Sequence, residues 1–246
     1  MTLDGKQVLV TGGGTGVGAD LARAFAAQGA AVIVAGRRLE PLQQIAGALP
    51  RARAIQADVT DEESVRAMFD AAGPCEVVIA NAGAADSTPF AKVDLDHWNR
   101  MLAVNLTGTF LTFREGLSRI QGWGRLIAVA STAGLKGYRY VAPYAAAKHG
   151  VVGLVRSLAL EVAKKKVTVN ALCPGFLDTE MTERSIANIM AKTGAGRQEA
   201  LAALTQANPQ GRLVQPAEVS AAALWLCGAG SDAVNGQAIA IDGGEA

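Results

Sequence analysis

Tyr144 and Lys148 stand four residues apart in the alanine-rich run YAAAKHG. Alanine is the strongest helix former, so the run reads as helix, and residues i and i+4 share a helix face. A free phenol titrates near about 10, and an ammonium beside it stabilises the phenolate and draws that value toward neutrality. Such a pair can exchange a proton with an alcohol or carbonyl oxygen. The spacing alone licenses only proximity, because any exposed helix can carry it. Ser131, in AVASTAG, lies thirteen residues before Tyr144 and follows an apolar strand. A loop of that length can return its hydroxyl to the same place, to hydrogen-bond a substrate oxygen. Asn105, in AVNLTG, falls inside a predicted helix, where asparagine is a poor former. Its side chain can replace a broken backbone bond or hold water, and the plain alternative is a satisfied helical asparagine. His149 points about 100° around the helix from Lys148 and is expected to pack.

A proton donor of this kind needs a hydride carrier, and the first strand leads to a place for one. Val8-Leu9-Val10 runs into Thr11-Gly12-Gly13-Gly14-Thr15-Gly16-Val17-Gly18 and then a helix from about Ala19. A strand-to-helix turn of glycines lets backbone N–H groups and the positive end of the helix dipole approach a diphosphate. A tight turn is the plain reading of a glycine run, but a strand before it, a helix after it and five glycines argue for the dinucleotide loop. The spacing is GxxxGxG, set by Gly12, Gly16 and Gly18, and Thr15 and Val17 fall within it. The second strand ends Ala35-Gly36-Arg37-Arg38. No carboxylate is there to accept from ribose hydroxyls, and two guanidinium groups favour a 2′-phosphate. NADP(H) is therefore expected over NAD(H), which stays possible; surface arginines on a solvated turn are the other reading. Asp58, in QADVT, ends a further strand-like segment and could accept from an adenine amino group, with Val59 as an apolar wall. A turn or cap aspartate fits equally. Asn81, Ala82 and Gly83, in ANAG, end the next strand with small residues, as backbone lying against a flat ligand requires, or as a plain turn does.

The elements that must position these groups alternate along the chain. Apolar runs at Val8–Val10, Ala31–Val34, Val77–Ala80, Leu126–Val129, Val167–Asn170 and Gln237–Ile241 are separated by helix-patterned stretches at Ala19–Gln28, Glu62–Ala72, His97–Leu117, Pro143–Lys164 and Pro216–Cys227. That alternation predicts an α/β, doubly wound parallel sheet with helices on both faces and ligands at the carboxyl ends of its strands. One domain over 1–246 is expected. The stretch from Phe176 to Gln210 is longer than an ordinary connection and reads as a substrate lid at about 180–210.

Composition narrows the function classes. Of 246 residues, 50% are apolar and 18% charged, with a net charge of +1, which fits a sheet buried on both faces and offers no field for nucleic acid. Lys164-Lys165-Lys166 reads as a solvated helix end. Cys75, Cys173 and Cys227 lack CxxC spacing and sit in apolar sequence, so core positions are expected, with neither a disulfide framework nor a metal site. With no basic leader and no apolar run of membrane-spanning length, the expected setting is the cytoplasm, away from the membrane.

Taken in order, TGGGTGVG, ADV, ANAG, Asn105, Ser131, YAAAK and Pro174-Gly175 resemble the short-chain dehydrogenases/reductases over nearly the whole chain. The resemblance implies a Rossmann fold in which Tyr144 is the catalytic acid/base and Lys148 lowers its pKa and binds the nicotinamide ribose. It also implies that Ser131 orients the substrate oxygen, that Asn105 holds a water in a proton relay, and that Pro174, Gly175, Leu177 and Thr179 border the nicotinamide. Members of the family usually assemble as homotetramers, sometimes dimers, through the helices carrying Asn105 and Tyr144. Ala80 departs from the second asparagine many members have, a mild change while Asn81 and Gly83 remain. STAGLKGYRYVAPYAAAKHGVVGL followed by VNALCPGFLDTEM is similar to ketoreductases of polyketide or 3-oxoacyl thioesters, and the KHGVVG segment also to 3-hydroxybutyrate dehydrogenases. The latter hold a free carboxylate with polar side chains, whereas Thr132-Ala133-Gly134 and Ala84-Ala85-Asp86 are mostly apolar with an acid. Arg139, Arg184, Lys192 and Arg197 could meet a phosphate-bearing carrier or be plain surface charge. The expected activity is thus NADP(H)-linked reduction of a carbonyl to an alcohol, a 3-oxoacyl thioester being the leading substrate. An NAD-linked alcohol or 3-hydroxyacid dehydrogenase is the nearest alternative. A redox-sensing regulator would keep the glycine loop but has no need of Ser131, Tyr144 and Lys148 together.

Overall fold

The apolar runs become seven strands in a computed structural model that describes residues 3–246. They are β1 (Gln7–Thr11), β2 (Ala31–Gly36), β3 (Ala52–Gln56), β4 (Val77–Ala80), β5 (Gly124–Val129), β6 (Val167–Pro174) and β7 (Ala238–Ile241). All pair in parallel, in the order β3-β2-β1-β4-β5-β6-β7. The helices between them are α1 (Gly16–Ala27), α2 (Leu39–Gly47), α3 (Glu62–Ala72), α4 (Leu95–Leu102), α5 (Gly108–Arg119), α6 (Ala142–Val162), α7 (Glu180–Thr193), α8 (Arg197–Thr205) and α9 (Pro216–Leu226).

Successive strand side chains point to opposite faces, so each strand feeds two cores. Val8 and Val10 pack with Phe25 of α1, Leu42 of α2 and Val219 of α9. Leu9 between them packs with Phe69 of α3, Phe113 of α5 and Val155 of α6. This double burial is why the strands read as continuous apolar runs instead of alternating ones. The chain winds outward through β1, β2 and β3 and then returns to lay β4 beside β1. The strand order therefore reverses between β1 and β4, where an open α/β sheet has a cleft at its carboxyl edge.

Three local features depart from the sequence expectation. The stretch expected as one helix from His97 to Leu117 is α4 and α5 joined by a π-helical segment, Ala103–Thr107. The close approach of α5 to the loop after β3 accompanies it: a Cβ on Gly108 would fall 2.8 Å from Val59 Cγ2. α2 was not anticipated, because a proline in its first turn and only two buried residues, Leu42 and Ile45, leave a weak pattern. His149 does not pack; it is exposed, with Nδ1 2.9 Å from the carbonyl oxygen of Ala145.

The long connection after β6 carries α7 and α8. It is pinched at its base by a single parallel bridge between Leu177 and Val214, in which Val214 N donates to Phe176 O at 2.9 Å and Asp178 N to Val214 O at 2.9 Å. Glu183 of α7 and Arg197 of α8 pair at 2.6 Å. No helix among the described residues is long and apolar enough to cross a membrane.

Candidate active site

The glycine-rich loop leaves β1 at Thr11 and is held in place by β4. Gly12 has φ +66°, a left-handed conformation that glycine adopts without strain. A Cβ there would stand 2.9 Å from Ala82 Cα, and one on Gly18 only 2.2 Å from Gly12 O. Neither position admits a side chain. Asn81 Nδ2 donates to Thr11 O at 2.9 Å and to Gly12 O at 3.2 Å, while Thr11 Oγ1 accepts from Asn81 N and Ala82 N at 3.0 and 3.1 Å. Thr11 and Asn81 thus clamp the two strand ends that flank the cleft. The sequence reading had named Asn81 and missed Thr11, whose signal was a hydroxyl at the last position of an otherwise apolar strand.

The residues present fit a dinucleotide. Thr15 caps α1 without engaging its side chain in a cap hydrogen bond, and the first turn of α1, which includes Val17, holds no acidic residue. Hydroxyl, unsatisfied N–H groups and helix dipole are thereby left to an anion. Gly16 faces Thr179 across the cleft, its virtual Cβ 3.5 Å from Thr179 Cγ2. At the end of β2, Arg37 and Arg38 are both exposed, and neither is in an ion pair among the described residues. Asp58 Oδ1 accepts from Thr60 N at 2.9 Å and Thr60 Oγ1 at 2.8 Å. Burial raises its pKa, but these two bonds and the Arg37 charge outweigh it, so the carboxyl is held below its ordinary value. Val59 turns into the core against Gly108.

The residues expected to transfer a proton lie at the carboxyl ends of β5 and β6. Ser131 follows β5 in extended backbone and caps a 3-10 turn, Thr132–Gly134, by accepting from Ala133 N at 3.1 Å. From α6, the Tyr144 phenol comes near enough to the Ser131 hydroxyl for that group to act on its pKa. One turn further on, Lys148 is buried, with Nζ 5.6 Å from the Tyr144 ring centroid and donating to Val129 O at 2.9 Å. Burial lowers the Lys148 pKa to about 8, opposed by the nearby Cys173 sulfur. Burial also holds the Tyr144 phenol above its ordinary value, opposed by the neighbouring Ser131 hydroxyl. Cys173 on β6 is fully buried behind the pair, its thiol pushed up to about 11 by burial.

Asn105 lies in the π-helical segment and is fully buried. Nδ2 donates to Met101 O at 3.0 Å and Ala84 O at 2.9 Å, and Oδ1 accepts from Ala84 N at 3.3 Å. Both amide hydrogens are engaged, so the side chain ties the helix break to the loop after β4. A Cβ on Gly83 would be 2.8 Å from Asn105 Oδ1 and 3.7 Å from Lys148 Nζ, which puts strand end, asparagine and lysine in one cluster.

Comparison with known proteins bears on this arrangement. The short chain dehydrogenase family model matches residues 6–189. The chain belongs to the short-chain dehydrogenase family. It is 37% identical over 250 residues to cis-4-hydroxycyclohexanecarboxylate dehydrogenase of Sinomonas cyclohexanicum, covering 97% of this chain and 96% of that one. It is 31% identical over 253 residues to a 3-oxoacyl-[acyl-carrier-protein] reductase of Aquifex aeolicus, covering 98% of both. Among solved structures, a variant of actinorhodin polyketide ketoreductase with NADPH matches at a TM-score of 0.89 and 35% identity, over 98% of this chain and 97% of that one.

As a short-chain dehydrogenase the chain is an oxidoreductase, and the remaining expected residues follow one another from the end of β6 to the start of α7. Pro174 ends β6 and is buried, with Gly175 next to it. Leu177 opens the bridge to Val214, and Thr179 caps α7 over the glycine loop. The basic residues considered for a carrier phosphate divide. Arg197 is paired with Glu183, Lys192 Nζ donates to Ser87 O at 3.5 Å, and Arg139 and Arg184 are exposed.

Proposed function

We propose that this short-chain dehydrogenase reduces a ketone to a secondary alcohol with NADPH, and that its substrate is a 3-oxoacyl thioester. The observation that carries the reading is the convergence of Ser131, Tyr144 and Lys148 at the strand ends beside the glycine loop. When bound, the nicotinamide supplies the hydride to the carbonyl carbon. The Ser131 hydroxyl donates to the carbonyl oxygen, and Tyr144, its pKa raised and its proton therefore retained at neutral pH, delivers that proton to the same oxygen. Lys148 has one hydrogen fixed on Val129 O and two left for ribose hydroxyls. Its charge balances the phenolate left by proton delivery. Arg37 and Arg38 would meet a 2′-phosphate, and Asp58 Oδ2 the adenine edge. NAD(H) lacks the phosphate that would use the two guanidinium groups.

The connection at about 180–210, with α7 and α8 on its narrow base, serves in this reading as a lid over the substrate. Arg139 and Arg184 remain for a carrier phosphate. Exposed Phe110 on α5 and Leu160 on α6, at 41% and 80%, support assembly through these helices into a homotetramer. A panel of ketones, free 3-oxoacids and 3-oxoacyl thioesters, assayed with NADPH and NADH, tests the reading. Fastest NADPH oxidation with a 3-oxoacyl thioester is expected. Faster NAD-linked oxidation of a free hydroxy acid would overturn it, and tight dinucleotide binding without any turnover would favour a sensor.

A further inference from the structure

Glu245 lies in the segment after β7, and its side chain is only 1% exposed. It accepts from the Tyr138 hydroxyl. Lys136 Nζ is 3.3 Å from Oε1 and donates to the Glu245 main-chain carbonyl at 2.7 Å. The Tyr138 oxygen is also 2.7 Å from Thr132 Oγ1. A phenol has one proton, and a carboxylate is the stronger acceptor, so Tyr138 donates to Glu245 and accepts from Thr132. An ordered line follows, Thr132 to Tyr138 to Glu245, with Lys136 balancing the charge.

One end of this line adjoins Ser131 and the other reaches the segment after β6. Thr132 begins the 3-10 turn that Ser131 caps. Glu245 Oε2 lies 3.2 Å from where a Cβ on Gly175 would stand, and the Tyr138 ring meets Phe176 edge-on at 6.3 Å. The segment bearing Glu245 is itself fixed, because Asp242 accepts from Gly244 N at 2.9 Å and from Ala246 N at 2.8 Å. Burying a carboxylate is expensive even when it is paired, and a well-packed apolar side chain often stabilises as much or more. A charged cluster is therefore a poor device for stability alone, and its place between Ser131 and Gly175 gives it another use.

We propose that Glu245 is a positioning residue, which through Tyr138 and Thr132 fixes the turn that aims the Ser131 hydroxyl at the substrate oxygen. The proposal rests on the carbonyl-reduction reading for its kinetic consequence but not for its structural one. The test therefore has two arms, both on the full chain. In the first, hydrogen exchange is measured on wild type, Glu245→Gln and Glu245→Ala. Glu245→Ala should expose the amides of 132–138 while those of the glycine-rich loop stay protected; unchanged protection at 132–138 overturns the proposal whatever the substrate. In the second, the carbonyl that the wild type reduces best is used. Glu245→Ala should lower kcat/KM about tenfold with the NADPH Kd within about twofold, and Glu245→Gln, which still accepts from Tyr138, should recover most of the loss. In a Ser131→Ala background the same change should cost less than about twofold, because its route has been removed. Losses that multiply, or an equal loss of NADPH affinity, would show a merely structural role and overturn the proposal. A wild type that reduces no carbonyl refutes the reduction reading and leaves the exchange arm to decide on Glu245.

Discussion

Asn105 Nδ2 donates to the carbonyl oxygen of Met101, four residues earlier, at 3.0 Å. It occupies the place of a main-chain N–H where the helix has slipped into π geometry. A side chain thereby repairs a helix that the fold has opened near Lys148.

Asn105→Ala should remove this repair together with both bonds to Ala84. Buried backbone groups left unpaired cost about 1–3 kcal/mol each, so a loss of about 3 kcal/mol in unfolding free energy is expected. Urea denaturation followed by circular dichroism measures it. A loss below about 1 kcal/mol would mean that water replaces the amide and that the repair is dispensable.

Tyr144→Phe keeps the ring beside Lys148 and removes the proton proposed to be transferred to the substrate oxygen. Turnover should fall by about 10³-fold while NADPH affinity, read from nicotinamide fluorescence, changes little. Retention of a tenth of the activity would assign the proton to another group.

Arg37→Asp places a carboxylate where a 2′-phosphate is expected. Loss of a charge-assisted contact is worth about 1.5–3 kcal/mol, so the ratio of kcat/KM for NADPH over NADH should drop about 10- to 100-fold. An unmoved ratio would exclude this side chain as the selector.

Lys148 makes stability depend on pH in a defined window. Folded, it titrates near about 8 because burial disfavours the ammonium; the ordinary value for a solvated lysine is 10.5. Between those values the unfolded state binds the extra proton, so Lys148 makes stability rise with pH by up to about 1.4 kcal/mol per unit. The buried thiols, raised from 9.0 to about 11 at Cys75 and Cys173 and about 12 at Cys227, work in the opposite direction above about 9. The difference between wild type and Lys148→Met isolates the lysine. That difference should grow in favour of wild type from about pH 8 upward; a flat difference would mean that the ammonium stays charged in the folded chain.

The fold was legible because both sheet faces are covered, which turns each strand into an unbroken apolar word between helical ones. Glu62–Ala72 and Val77–Ala80 were read to the residue for that reason. β3 and α2 were faint because β3 lies at the sheet edge and α2 buries only two side chains. The proximity of Tyr144, Lys148 and Ser131 could be read from types and spacing, since one helix and one loop length fix their distances. Glu245 could not, because it lies about a hundred residues from Tyr138 and meets it only when β7 is laid beside β6. The Asn105 break was half visible: a poor helix former marked the place, but not the slipped hydrogen bonds.

The single Leu177–Val214 bridge has a consequence for how such an enzyme can change. It closes the excursion at a neck two strands wide, so the excursion pairs with the body of the fold strand to strand only at its base. Closing a longer or shorter loop alters the entropy by only about 0.6 kcal/mol per doubling of its length. The segment carrying α7 and α8 is therefore an exchangeable cassette. Its sequence can drift, lengthen or be grafted from a relative, while α6 and the turn after β5, which carry Tyr144, Lys148 and Ser131, keep their place.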